Sequence, residues 1–304
     1  MSSLHELREA MTKPTIWYTD NIHSRKVCLA LADGTGFPMR RAVEACDMAG
    51  KNPGPSIVYG LLRGCSEIIQ RCQAAGEDWW HIDHGYIGRG HYAGHYRITY
   101  RGLQTKVLPH GSRSNIPVLP ARISYDMKPW REGGKYVVLI PPTLVVDAHY
   151  GSAYHWDKPE QHRWVDEIKR SFNKFSEGGH RLCGEYTYEL VVSTKDGPRF
   201  DELKDAALAV IAHNSIAAVE ALMYGIPAYH THGVLREFCG IWFNDACSCV
   251  WGNPGGWVGQ DDGGDCGIWG KPDREPFLNW LTHQQFTLDE MRSGEAWTIL
   301  EKQR

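Results

Sequence analysis

No stretch of this 304-residue chain is apolar for long. The longest runs, such as Lys135-Tyr-Val-Val-Leu-Ile, fall far short of the about 20 residues that a bilayer-spanning helix needs. No membrane partner is expected. Positive charge is not in excess either: 33 Lys and Arg stand against 36 Asp and Glu, a formal net charge of −3. A module whose main task is gripping nucleic acid carries a clear basic surplus. The balance argues against a simple DNA-binding module but leaves room for a local basic groove. The first residues mix both charge signs and lack an apolar core, so they do not read as a secretory leader, and a cytoplasmic protein is expected. Paired Cys-x-x-Cys spacings are missing. The nine cysteines are odd in number and scattered from Cys28 to Cys266, unlike a compact disulfide framework. Reduced thiols are expected. The Gly-x-Gly-x-x-Gly fingerprint is incomplete, because Gly34-Thr-Gly36 stops after two glycines.

What is present fits a globular α/β protein. Hydrophobic residues make up 42% and charged residues 23%, ordinary for such a protein. The length suits two domains. In the first half, strand-like Thr15-Ile-Trp-Tyr-Thr-Asp, Pro55-Ser-Ile-Val-Tyr-Gly and Asp78-Trp-Trp-His-Ile-Asp-His-Gly-Tyr alternate with helix-like residues 61–75. Strand, helix, strand in that order implies a parallel sheet with crossover helices. Residues 108–132 are rich in proline and glycine and read as a connection. The pattern then restarts. Strands are expected at residues 135–140, 188–194, 207–213 and 225–230, with helices at 161–176 and 215–224. The expected domains are 1–130, 131–275 and a helical end, 276–304, packing back on the first.

The most informative stretch is Val210-Ile-Ala-His-Asn-Ser-Ile-Ala-Ala-Val-Glu-Ala-Leu-Met-Tyr-Gly-Ile-Pro-Ala. A strand ends at His213, and a helix opens at Asn214 or Ser215, both good N-caps. Backbone N–H groups at such a helix start can receive a diphosphate. Glu220 lies one to two turns on, where a carboxylate can bind ribose hydroxyls. Gly225 and Pro227 end the helix. The alternative is a capped helix of an unrelated α/β protein.

This run resembles the donor-site signature of GT-B glycosyltransferases, with its Ser/Thr-rich helix start, Glu-Ala-Leu and Gly-x-Pro. It looks closest to the capsule-polysaccharide transferase branch and to a family of bacteriophage glycosyltransferases. Two more pieces are similar to the phage family: Trp80-His-Ile-Asp-His-Gly-Tyr-Ile-Gly-Arg-Gly with Tyr96-Arg-Ile-Thr, and Phe286-Thr-Leu-Asp-Glu-Met-Arg-Ser-Gly-Glu-Ala-Trp. The order Asn214-Ser215 departs from the family's His-x-Ser-Asn. The resemblance implies two Rossmann-like domains facing each other across a cleft, with a C-terminal helix crossing back. It implies a nucleotide-sugar donor, a UDP-sugar first among them, and in a phage the host cytoplasm as compartment. The phage relatives suggest double-stranded DNA as acceptor, through a hydroxylated or hydroxymethylated pyrimidine. Reaching such a base means flipping it from the stack.

The residues themselves supply catalytic candidates. Period two puts His81 and Asp83 on one strand face and His84 on the other. Asp83 and His84 fall at the strand's C-terminal end, where α/β sites gather, and either can take an acceptor proton. Asp20 ends the first strand and is a second base candidate. Arg89 and Arg97 are candidates for holding phosphate, or solvated surface arginines. Thr143, Thr194 and Lys195 follow strands of the second half and are expected beside Ser215. Lys195 would neutralise the diphosphate without a divalent metal. Cys239, Cys247, Cys249 and Cys266 lack zinc-finger spacing, and Asp261, Asp262 and Asp265 lack a regular calcium-loop spacing. Two other functions stay open: transfer to a glycan or lipid-linked sugar, and a non-catalytic nucleotide-sugar-binding role.

Overall fold

The structure, a computed structural model, describes residues 13–46, 52–88, 94–105, 118–143, 145–146, 149, 164–170, 189–194, 197–232, 235 and 273–303. The chain divides into two compact units, Met1–Lys106 with Leu281–Arg304, and Val107–Trp280. It is an α/β protein with one mixed and one parallel sheet, consistent with a Rossmann-like fold.

The first unit begins with β1 (Thr15–Tyr18), whose β-branched and aromatic residues suit a pleated strand. Helix α1 (Ile22–Thr35) follows at once. Asn21 caps it, its side chain accepting the His23 N–H at 2.8 Å. Gly36 ends it in the left-handed conformation, φ 68°. Then come β2 (Met39–Arg41), α2 (Ala42–Cys46), β3 (Ser56–Tyr59), α3 (Cys65–Ala75), β4 (Trp79–His84) and β5 (Tyr96–Tyr100). Strands β2, β1, β3 and β4 are parallel neighbours, and β5 runs antiparallel to β4.

The C-terminal segment completes this sheet. Beyond β10 (Gln285–Phe286) lie α7 (Leu288–Arg292) and α8 (Glu295–Gln303). Strand β10 pairs with β5, giving the order β10-β5-β4-β3-β1-β2. Trp297 of α8 packs at a tilt against Trp80 at 5.1 Å and edge-on to Phe37 at 5.0 Å. Full burial of one large apolar side chain contributes about 1.5–3 kcal/mol, so this segment is part of the core, not an appendage. Gly34 of α1 lies where an added Cβ would stand 2.0 Å from the Met291 carbonyl oxygen. Only glycine lets the two backbones approach so closely.

The second unit has a four-stranded parallel sheet. Its strands are β6 (Tyr136–Ile140), β7 (Glu189–Val192), β8 (Ala207–Ala212) and β9 (Ala228–His230), in the order β7-β6-β8-β9. Short helix α4 (Phe200–Leu203) precedes β8, α5 (Ile216–Met223) joins β8 to β9, and α6 (Glu275–Thr282) lies near the C-terminus. Residues 164–170 are helical. Trp164, Val165 and Ile168 pack on Val137, Leu139, Ile211 and Tyr229 of the sheet. β6 and β8 are continuous apolar runs and almost wholly buried, as strands covered on both faces require.

Candidate functional site

Each sheet reverses its strand order once. In the first, the chain leaves β1 for β2 on one side and returns to β3 on the other. In the second, it leaves β6 for β7 and returns to β8. The crevice beyond the C-terminal ends of two such strands is where open α/β sheets hold ligands. The β1/β3 crevice has Asp20, Asn21 and His23 on one side and Tyr59 and Gly60 on the other. The β6/β8 crevice has Thr143 on one side and His213, Asn214 and Ser215 on the other.

Beside the β1/β3 crevice four rings gather. The His84 ring lies 5.8 Å from that of His23, 6.4 Å from Tyr59 and 5.9 Å from Tyr96, on which it stacks. Burial and the nearby Asp83 charge push the Tyr59 phenol up, so at neutral pH it is a hydroxyl that donates or accepts. On the opposite face of β4, Asp83 is about a third exposed, its side chain at 34%. It receives the His84 N–H at 2.8 Å and an Arg97 Nη2 hydrogen at 2.6 Å. Burial alone would raise its carboxyl. The charges of Arg97, His81 and His84 and the His84 N–H outweigh burial and hold it below the usual carboxylate range. Asp83 is thus a firmly ionised anchor for the strand end that presents His84.

Arg97 corrects an expectation. It is 2% exposed, sits directly opposite Asp83 on β5, and gives Nη1 to the His84 carbonyl at 2.7 Å. It positions the β4 end and is not available to grip phosphate. Asp20 is also committed: Arg41 clasps it with Nε at 3.0 Å and Nη2 at 2.7 Å. That hydrogen bond lowers its pKa and weakens it as a base. Arg89 and Lys195 lie outside the described residues, as do the cysteines from Cys239 onward and Asp261, Asp262 and Asp265.

The loop after β4 is held from the far end of the chain. Gln285 is fully buried. Its Oε1 accepts the N–H groups of Tyr86 at 2.6 Å and Ile87 at 3.3 Å, and its Nε2 donates to the Ile87 carbonyl at 2.8 Å. These three side-chain bonds serve one loop. β10 therefore both closes the sheet and fixes the backbone that leaves His84.

At the β6/β8 crevice, Ser215 is the N-cap of α5, its hydroxyl accepting the Ala217 N–H at 3.3 Å. The side chain is therefore used by the cap, and contact with an anion falls to the helix start itself. The Ser215 carbonyl accepts from His230 Nε2 at 2.7 Å, and His230 Nδ1 accepts the Leu235 N–H at 3.2 Å. Those two bonds fix the tautomer of His230. Asn214 and Glu220 are half-buried and Thr143 is exposed. Thr194 is half-buried at the end of β7, on the far side of β6.

His213 is not at the surface of this crevice but beneath it, 1% exposed. Its ring stacks on His232 at 4.3 Å and meets the Trp164 ring edge-on at 6.2 Å. Burial, then the His232 charge, pull its pKa from 6.5 to about 3, against a hydrogen bond with Asn214. The imidazole is neutral in the fold, while the unfolded chain takes a proton near 6.5. Its contribution is present above 6.5 and is lost as pH falls through that value toward 3. The loss reaches about 3 kcal/mol by pH 4. Urea titrations of the parent and of His213→Gln between pH 7 and 4 should show the variant's stability changing less with pH. Equal slopes would remove His213 as the cause.

Sequence reading missed His23, Tyr59 and Tyr96 as site residues. The signal for His23 was present: Asn21 just after a strand is a cap, and His23 stands in the first turn of the helix it starts. Among the described residues no group of three His, Cys, Asp or Glu is arranged to hold a metal ion, and no helix is long and apolar enough to cross a membrane. No protein-family model matches the chain, and no curated protein matches it.

Proposed function

We propose that the chain is a glycosyltransferase of the GT-B type, moving a sugar from a nucleotide-sugar donor to a hydroxyl of a pyrimidine in DNA. The second unit takes the donor and the first the acceptor. One observation carries the reading. Both sheets reverse strand order, and at both reversals polar or titratable residues and a helix start collect at the strand ends.

The division of labour follows from the chemistry of each crevice. At β6/β8 the N-terminal end of α5 carries partial positive charge and receives the diphosphate. Glu220, on the same helix, is the candidate for the ribose hydroxyls. At β1/β3 His84 takes the acceptor's proton as its oxygen bonds to the anomeric carbon. The bond from that carbon to the diphosphate breaks, and the diphosphate leaves with the electron pair. Asp83, held by Arg97, keeps the β4 end in place. His23 stands next to His84 and is the second base candidate.

The test is thermal denaturation of the full chain with UDP-, GDP-, CMP- and dTDP-sugars. A ligand that binds only the native state adds about 2.7 kcal/mol of stability at a hundred times its Kd. One nucleotide class should raise the melting point, and Glu220→Ala should diminish that rise. No shift with any donor would remove the reading.

A further inference from the structure

The β1/β3 crevice carries two exposed aliphatic side chains at its rim. Ile22 is 84% exposed and Leu62 is 60% exposed. Both follow the ends of adjacent parallel strands, Ile22 after β1 and Leu62 after β3. Neither aliphatic side chain serves the core. Isolated exposed aliphatics are ordinary, but these two flank the crevice where the acceptor is placed.

Charge gathers at the same rim. Arg40, Arg41 and Arg63 are all exposed, in a chain whose net charge is −3. Arg41 lies on Asp20 at 2.7 Å, and Arg63 is close enough for its charge to act on Asp20 as well. Asp20 therefore faces two guanidiniums, and the rim keeps a positive surplus. The backbone supports this display. Arg63 has φ 55°, a left-handed conformation that a residue with a side chain adopts only against steric strain. Non-glycine residues in that region cluster at binding and switch sites.

Aliphatic side chains amid arginines match one partner chemistry. Proteins that open a duplex insert apolar wedges between base steps while cations hold the flanking phosphates. A glycan offers no stacked step to enter and no run of phosphates. The geometry points to Ile22 and Leu62 as a wedge that parts a DNA duplex at the acceptor base, with Arg40, Arg41 and Arg63 on the adjoining phosphates. The displaced base then meets the rings of Tyr59 and His84, and base–aromatic stacking holds it there. This rests on the transferase reading and adds how the acceptor is reached.

A short duplex with 2-aminopurine beside a 5-hydroxymethyl pyrimidine reports the wedge directly, because 2-aminopurine brightens when unstacked. The full chain should raise its fluorescence, and Ile22→Ser/Leu62→Ser should lose the rise while still binding the duplex. Arg63→Ala should weaken binding and reduce the dependence of log Kd on log salt by about one. All three positions are exposed, so the variants should melt with the parent. A chain that is stabilised by a nucleotide sugar yet leaves the duplex unbound or stacked overturns the wedge and spares the transferase. Duplex opening without any donor binding keeps the wedge and removes the transferase.

Discussion

His84→Ala is expected to lower sugar transfer by about 10²–10⁴-fold, the usual contribution of a positioned general base. The donor-dependent rise in melting point should be unchanged, because the residue lies in the unit proposed to take the acceptor. The loss should therefore fall on the transfer step, not on donor binding. A pH profile separates a base from a merely structural ring. The parent's rate should fall on the acid side as the base is protonated, and the variant should lose that limb. Asp83→Asn keeps an oxygen for the His84 N–H but removes the charge that Arg97 faces. It should cost less than His84→Ala, since its effect reaches the acceptor only through the β4 end. Asp20→Asn should change little, because Asp20 is bound to Arg41 at 2.7 Å. If His84→Ala kept more than a tenth of the rate and His23→Ala did not, the base would be His23.

The β8–α5 corner was legible because each of its signals is local. The apolar run gives the strand, Ser215 the cap, and Gly225 with Pro227 the stop, and α5 spans Ile216–Met223. The polar end of β4 was legible for the same reason. Helix α1 was not. Its buried face includes Ser24, whose hydroxyl accepts the Thr19 N–H at 3.0 Å, so a polar residue interrupts the apolar period that marks a helix. Arg97 was misread because its environment is set by register. Only the pairing of β4 with β5 puts it opposite Asp83, and period-two patterning says which residues share a face without saying what stands across from them. Least legible was Gln285, which binds residues 199 and 198 positions away in the chain. No window of sequence contains both partners.

Gly225→Ala is expected to destabilise the second unit by about 2–5 kcal/mol, from two separate costs. Gly225 has φ +74°, which a residue with a Cβ adopts at about 1–2 kcal/mol. An added Cβ would also stand 1.8 Å from the Pro129 carbonyl oxygen and 2.8 Å from its carbon. Overpacking costs about 1–3 kcal/mol, and here the obstacle is backbone, which cannot swing aside as a side chain can. Nor is the neighbouring segment free to retreat. The Lys128 N–H bonds to the Met223 carbonyl at 2.8 Å and the Arg131 N–H to the Gly225 carbonyl at 2.7 Å, so residues 128–131 are laced to the helix end on both sides of the contact. In a domain of this size each kcal/mol moves the melting point by about 2–4 °C, so a fall of roughly 4–20 °C is expected. Gly133→Ala is the control, with no atom within 4 Å of its added Cβ, and it should melt with the parent. Displacing the C-terminal end of α5 also shifts its opposite end at Ser215, so Gly225→Ala should bind the nucleotide-sugar donor more weakly than Gly133→Ala even well below either melting point. Matched melting points for the two alanine variants would mean that the Pro129 carbonyl does not lie against the helix end.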